Sequence, residues 1–109
     1  MSELVEKQQQ FSLMLGRLLV HIATETDYRV TMGETWRTPE QAAMNAAKGI
    51  GIKNSLHCER LAADLNFFRD GKLTATPEEV GAWWEEQGGA WGGRFNDPAH
   101  FSLAHGGRK

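Results

Sequence analysis

Two short segments, far apart in the chain, carry side chains that commonly bind a divalent metal. His57 and Asp64 lie in the first segment, and Asp97 and His100 lie in the second. They supply three ligands that zinc accepts and one spare carboxylate, and three protein ligands with an open fourth position are typical of a catalytic zinc site. The chain has one cysteine, which excludes a cage of several thiolates. If the two segments share a metal, the fold must bring them side by side.

The spacing within the first segment limits its backbone. On a continuous helix, His57 and Asp64 would lie about 10.5 Å apart along the axis, and in a continuous strand they would lie about 23 Å apart. Neither arrangement lets both side chains reach about 2 Å from one zinc ion. We therefore predict a loop at His57 and a strand that begins near Leu61. Residues 62–68 alternate polar and apolar side chains as a half-buried strand does, which places Asp64 on the polar face.

The whole sequence predicts an α+β fold, in which a small antiparallel sheet carries the metal site and about three helices flank it. Apolar residues recur at helical spacing between Leu4 and Ile22. Thr38-Pro39 and Thr76-Pro77 each resemble an N-cap residue followed by a first-turn proline. The expected helices cover residues 3–23, 38–47 and from 76 to the glycines at 88–89, and the expected strands cover residues 28–36, 62–68 and 100–103. The glycine-rich residues 88–93 predict a loop, and residues 106–109 are expected to fray.

Length and composition fit one soluble domain over residues 1–109. The chain is near the modal domain size, with 40% hydrophobic and 24% charged residues. Its net charge of -2 provides no broad basic field, so we expect no nucleic-acid partner, although a local basic patch is compatible with this charge. We expect a monomer.

The N-terminal region does not resemble a targeting signal or a membrane span. Residues 1–7 begin with acidic rather than basic side chains, and the apolar run over residues 11–22 is interrupted by Gly16, Arg17 and His21. This run is also too short to cross a bilayer. We therefore expect synthesis in the cytoplasm without a signal peptide and no membrane insertion.

The two metal-binding segments resemble a known family signature. Residues 55–64 are similar to the Ser-x-His-x-x-Gly-x-Ala-x-Asp motif of the zinc D-alanyl-D-alanine carboxypeptidases and the related L-alanyl-D-glutamate endopeptidases of phage endolysins. The family's later Gly-Gly and Asp/Glu-x-x-His are matched by Gly92-Gly93 and by Asp97 with His100. The segment from Gly33 to Gln41 is similar to the family's substrate-binding segment. These matches keep the family's order from about residue 30 to residue 103.

The resemblance implies a zinc peptidase that cuts the stem peptides of peptidoglycan. The implied roles are Zn²⁺ ligands (His57, Asp64, His100), general base (Asp97) and substrate contacts (Arg37, Gln41, Ser55). Cleavage of the L-Ala–D-Glu bond by metal-activated water is the preferred reaction, as in a phage endolysin, with release to the cell wall through a membrane lesion. Removal of a terminal D-Ala by a D,D-carboxypeptidase is the alternative. The sequence does not separate the two reactions, because the length of the cleft and the closure of its end decide between them.

Two positions depart from the family pattern. Arg60 stands where the family has a glycine, which places a bulky cation near the expected metal, and Ser102 stands where an acidic residue often follows His-Phe. Neither change removes a ligand. The Arg60 departure leaves a third hypothesis open, a metal-binding but inactive module that recognises peptidoglycan or a partner.

Several of these residues also have simple structural interpretations. Asp97 before Pro98 could initiate a turn, Gln41 could complete a capping box, and Ser55 could cap the loop with its hydroxyl. The remaining polar candidates are expected to have no part in the site: His21 and His105 as surface histidines, and Cys58 as a free or structural thiol.

Overall fold

A computed structural model describes residues 2–49 and 55–109 of the chain. Within these residues the fold is α+β, with three α-helices and a small antiparallel sheet, as the sequence predicts. The elements in chain order are α1 (Glu3–Glu25), β1 (Arg29–Met32), α2 (Pro39–Ala47), a 3₁₀ turn (Leu56–Glu59), β2 (Ala62–Arg69), β3 (Lys72–Thr74), α3 (Glu78–Glu86), β4 (Ala90–Trp91), a second 3₁₀ turn (Gly92–Phe95) and β5 (His100–Ser102).

Strand β2 is the centre of the sheet, and every pairing in it is antiparallel. The strand order is β1-β2-β5-β4, and β3 pairs with the end of β2. The register sets Asp64 of β2 directly opposite His100 of β5. Leu65 and Phe67 are buried whereas Asn66 is exposed, which confirms the predicted alternation in this strand.

Helix α1 covers the core with a single apolar stripe. Ser2 caps its N-terminus by accepting a hydrogen bond from the backbone N–H of Val5. The buried side chains of the helix recur at helical spacing and are Phe11, Met14, Leu18 and Ile22. Each contributes about 1.5–3 kcal/mol relative to an exposed side chain. No helix of the described residues is long and apolar enough to cross a membrane.

Trp84 of α3 connects that helix to the strands beside the two segments that are predicted to bind metal. Its fully buried indole N–H donates to the carbonyl oxygens of Ala90 at 3.1 Å and Ser102 at 3.0 Å. The ring also makes edge-on contacts with Phe11 of α1 and Phe101 of β5, each at 6.0 Å between centroids. These contacts fix the position of β5, which carries His100.

Several boundaries differ from the sequence prediction. The β1 ladder ends at Met32 rather than near residue 36, although Gly33 and Glu34 still bond to the backbone of Asp64. Helix α3 begins at Glu78 with Pro77 at the N-cap position, so Thr76 is not its cap. An N-cap residue has extended backbone, which the fixed φ of proline allows. Pro77 accordingly has φ -64° and ψ 130°.

Two strands and one terminal contact were not predicted. Strand β3 follows a tight turn at Asp70-Gly71, where both residues have positive φ, and β4 lies inside the stretch predicted to be a loop. The C-terminal residues are not simply frayed, because His105 and Arg108 form a backbone bridge.

Candidate metal centre

The first ligand segment bends as its spacing requires. The buried Ser55 hydroxyl accepts a hydrogen bond from the backbone N–H of His57 at 3.1 Å and starts the 3₁₀ turn. Arg60 ends the turn in the left-handed conformation, with φ 58° and ψ 35°. The backbone N–H of Leu61 donates to the carbonyl of Leu56 at 3.1 Å, and β2 begins at the next residue. The loop at His57 and the strand after it are both as predicted.

Arg60 adopts the backbone conformation that a glycine would favour at this position. A left-handed conformation costs a non-glycine residue roughly 1–2 kcal/mol. The guanidinium of Arg60 lies 4.6 Å from the ring centroid of Trp36, which is a cation–π contact. Its side chain therefore packs on an aromatic ring while its backbone keeps the tight bend after His57.

Gly92 allows the second ligand segment to pack closely. The backbone N–H of Asp97 donates to the carbonyl of Gly92 at 2.8 Å. A Cβ at Gly92 would lie 2.0 Å from the carbonyl oxygen of Asp97 and 2.7 Å from the Cβ of His100. No side chain fits in that space. The loop that carries Asp97 therefore folds directly against the start of β5.

The three predicted metal ligands meet at one point. His57 Nε2 lies 3.3 Å from Asp64 Oδ1, and His100 Nδ1 lies 3.9 Å from the same oxygen. One ligand atom from each of the three residues lies within 4.8 Å of the others. Both imidazoles are buried, and Asp64 is half-buried. The 3₁₀ turn, β2 and β5 each supply one of these side chains.

The donor set fits a tetrahedral zinc ion. Ligand atoms at the usual bond lengths would be about 3.4 Å apart, close to the 3.3 Å between His57 Nε2 and Asp64 Oδ1. Asp64 Oδ1 is buried and has no hydrogen-bond partner among the described residues. A buried carboxylate oxygen without a partner is costly, and a bound cation would remove that cost.

The protonation of His100 also suits a metal ligand. Burial lowers the pKa of its imidazole, and the nearby His57 lowers that pKa further, whereas Asp97 and Asp64 act in the opposite direction. A lowered pKa favours the neutral ring, which is the form that binds metals.

Asp97 lies beside the cluster on its exposed side. Asp97 Oδ2 is 3.9 Å from His100 Nδ1, and its side chain is 57% exposed. The carbonyl of Asp97 accepts the backbone N–H of His100 at 3.0 Å, so the residue also forms the predicted turn. Its carboxylate can therefore reach both solvent and a molecule bound at the cluster.

The three predicted substrate contacts have different surroundings. Arg37 Nε donates to Glu34 Oε1 at 2.7 Å, and its backbone N–H donates to the carbonyl of His57 at 3.2 Å. Ser55 makes the capping contact described above. Gln41 is exposed on α2, and its side-chain amide donates to Asn45 rather than completing the capping box with Thr38. Arg37 and Ser55 therefore both contact His57, one of the predicted ligands, whereas Gln41 bonds to Asn45.

Glu34 is a polar contact of the cluster that was not predicted from the sequence. Its Oε1 atom lies 3.5 Å from His57 Nδ1, and its carbonyl accepts the backbone N–H of Asp64 at 2.8 Å. One feature of the sequence could have pointed to Glu34: it lies near the end of a predicted strand, three residues before Arg37.

The other polar candidates lie outside the cluster. His21 stacks on Trp83 at 4.2 Å between ring centroids, and His105 Nε2 lies 3.7 Å from Glu59. Cys58 is a free thiol. Of the described residues, only the three predicted ligands form a group of this kind.

Comparison with known proteins supports the fold. No protein-family profile and no curated protein sequence matches this chain. Among solved structures, it is similar to the crystal structure of VanY, a vancomycin-resistance D,D-pentapeptidase from a VanB-type resistance cassette, solved as a Glu-to-Ala mutant in complex with Zn(II). The TM-score is 0.56 and the identity 21%, over 88% of this chain and 71% of the VanY chain. At this identity the similarity shows a shared fold.

Proposed function

We propose that this chain is a zinc-dependent peptidase of peptidoglycan, similar to phage endolysins, that cleaves the L-Ala–D-Glu bond of stem peptides. The observation that carries the proposal is the meeting of His57 and Asp64 from one segment with His100 from a distant one, with Asp97 beside them. The zinc-bound VanY structure with the same fold supports it. On this proposal the protein acts on the cell wall after its release from the cytoplasm.

The chain's own residues divide the work of such a reaction. His57, Asp64 and His100 would hold the zinc ion, which supplies Lewis acidity to activate water and polarise the scissile carbonyl. Asp97 would take a proton from the attacking water and return it to the leaving amine. Its exposure and its position next to His100 suit both transfers.

Arg37 is the strongest of the three proposed substrate contacts. A guanidinium has a permanent charge and planar donors that match a carboxylate, and stem peptides carry carboxylates. Each of the three already has a partner, Ser55 with the N–H of His57, Gln41 with Asn45 and Arg37 with Glu34, so all three substrate contacts stay predictions.

A D,D-carboxypeptidase is the second candidate, because the similar VanY structure is described as a D,D-pentapeptidase. Removal of a terminal D-Ala would use the same metal ligands and the same base. The third hypothesis, an inactive binding module, has less support than the sequence suggested. Arg60 keeps the tight bend after His57, and a purely binding protein has no need of Asp97 beside the cluster.

Digestion of purified muropeptides, followed by mass spectrometry, separates these candidates. Release of the peptide from the sugar-linked L-Ala would support the proposed endopeptidase, and loss of a single alanine would support the carboxypeptidase. Intact muropeptides in the presence of zinc would contradict both enzymes and favour the binding module.

A further inference from the structure

Glu34 contacts two of the proposed metal ligands in different ways. Its backbone carbonyl accepts the N–H of Asp64 at 2.8 Å, and its carboxylate oxygen Oε1 lies 3.5 Å from His57 Nδ1. The preceding Gly33 makes this close approach feasible, since a Cβ there would already lie 3.2 Å from the carbonyl oxygen of Asp64. The end of β1 is therefore held against the ligand strand.

The two nitrogens of His57 face different groups. Nε2 faces Asp64 Oδ1 at 3.3 Å, on the side of the proposed metal, and Nδ1 faces Glu34. A neutral imidazole that binds metal through Nε2 carries its proton on Nδ1. Nδ1 is buried and has no standard hydrogen bond among the described residues. The Glu34 carboxylate is thus the acceptor in position for that proton, at a distance that a shift of about 0.5 Å would make an ordinary hydrogen bond.

Arg37 fixes the carboxylate that His57 needs. Its Nε and Nη2 atoms lie 2.7 Å and 2.5 Å from Glu34 Oε1, and its side chain is only 14% exposed. A partly buried guanidinium that bonds to this oxygen through two nitrogens limits the rotation of the carboxylate. The backbone N–H of Arg37 also bonds to the carbonyl of His57, so the three residues form one connected group.

We propose that Glu34 is a positioning residue that holds His57 in its Nδ1–H form and thereby sets the affinity of the site for zinc. This inference rests on the proposed zinc site. Carboxylates that accept a proton from a metal-binding histidine orient the ring and make it a stronger ligand, and their loss typically weakens metal binding 10–100-fold.

Zinc affinity of the full chain, measured by competition with a chromophoric chelator, tests the proposal. Glu34→Ala should weaken zinc binding 10–100-fold. Glu34→Gln keeps an acceptor but loses the charge, so its zinc affinity should lie between those of Glu34→Ala and the wild type. Glu40→Ala is the matched control, since Glu40 is an exposed carboxylate in the first turn of α2, and it should bind zinc as the wild type does. Arg37→Ala should weaken binding less than Glu34→Ala, because the contact between Glu34 and His57 remains.

A spectroscopic measurement separates positioning from a loss of folding. In the zinc-loaded wild type, nitrogen-15 NMR of the imidazoles should show His57 protonated at Nδ1, with a proton that exchanges slowly with water. In Glu34→Ala this exchange should become fast, whereas the signals of His100 should be retained.

Three outcomes would overturn the inference: equal zinc affinity of Glu34→Ala and the wild type, an equal loss in Arg37→Ala and Glu34→Ala, or an Nδ1 proton that is unchanged. If Glu34→Ala does not fold, Glu34→Gln decides, and wild-type affinity in that variant would contradict the proposal. A wild type that binds no zinc would instead reject the proposed function.

Discussion

Arg60 shows how a single residue can depart from a motif and still keep its geometry. Its left-handed backbone costs roughly 1–2 kcal/mol, but its N–H bonds to the carbonyls of His57 and Leu56 and its side chain lies on Trp36. An exposed cation–π contact returns about 0.5–1 kcal/mol. The position therefore requires a particular conformation rather than a glycine, which the sequence pattern alone did not reveal.

Asp97→Asn tests the proposed general base. The substitution keeps the size of the side chain and removes its basicity, and Asp97 is not one of the three clustered ligands. We expect zinc to be retained and hydrolysis to fall at least ~100-fold, the lower end of general-base contributions. Turnover of muropeptides and bound zinc should be measured on the same preparation. Unchanged hydrolysis would remove Asp97 from the mechanism.

Alanine substitutions test the ligand set. His57→Ala, Asp64→Ala and His100→Ala should each abolish stoichiometric zinc and hydrolysis, because each removes one of only three protein ligands. His21→Ala and His105→Ala are controls that should leave both intact, since these histidines contact other residues. Elemental analysis of the purified variants measures occupancy. Full zinc content in the His57 or His100 variant would contradict the proposed set.

At the level of secondary structure, the long patterns were predicted well, whereas two of the short strands were missed. The apolar stripe of α1 and the alternation in β2 extend over enough residues for their periods to be recognised. Strands β3 and β4 contain three and two residues, so neither has a measurable period. The Asp-Gly pair at Asp70-Gly71 is nevertheless a hairpin signal in the sequence, and both of its residues have positive φ.

Gly92→Ala, with Gly16→Ala as its control, tests how closely the second ligand segment must pack. Gly92→Ala would place a methyl group 2.0 Å from the backbone oxygen of Asp97, so we expect it to lower the free energy of unfolding by about 1–3 kcal/mol. Gly16→Ala is the control within α1, where the added Cβ has no atom within 4 Å apart from the adjacent residues and the backbone of its own helix. It should instead raise the free energy of unfolding by about 0.5–1 kcal/mol, because alanine is the better helix former. Urea unfolding measures both, and equal stabilities would contradict the packing argument.

For the whole molecule, the sequence indicated which segments must meet but not what surrounds them. The spacing of His57 and Asp64 required a bend, and a shared metal required His100 to lie beside them. The 3₁₀ turn at Leu56–Glu59 provides the bend, and the register that sets Asp64 opposite His100 brings the second segment beside it. Glu34 was missed because its role depends on the pairing of β1 with β2, and a local sequence pattern contains no information about which strands pair.

Removal of the metal tests whether zinc only connects parts of a fold that is stable without it. The proposed ligands join the 3₁₀ turn, β2 and β5, and these elements also pack with α1 and Trp84 into one apolar core through Leu56, Leu65 and Phe101, which does not depend on the metal. Chelation should therefore abolish hydrolysis reversibly without unfolding the domain, and hydrogen exchange should increase in Leu56–Glu59 and β5 but not in α1.

Zinc added back should restore activity and stabilise the protein by about 2.7 kcal/mol when free zinc exceeds its dissociation constant about 100-fold. Circular dichroism and hydrogen exchange before and after zinc is restored check the structural part of this prediction, and muropeptide turnover and urea unfolding check the activity and the stabilisation. Global unfolding on chelation would instead make the metal a requirement for the fold. Unchanged exchange at β5 would show that no metal connects it to β2.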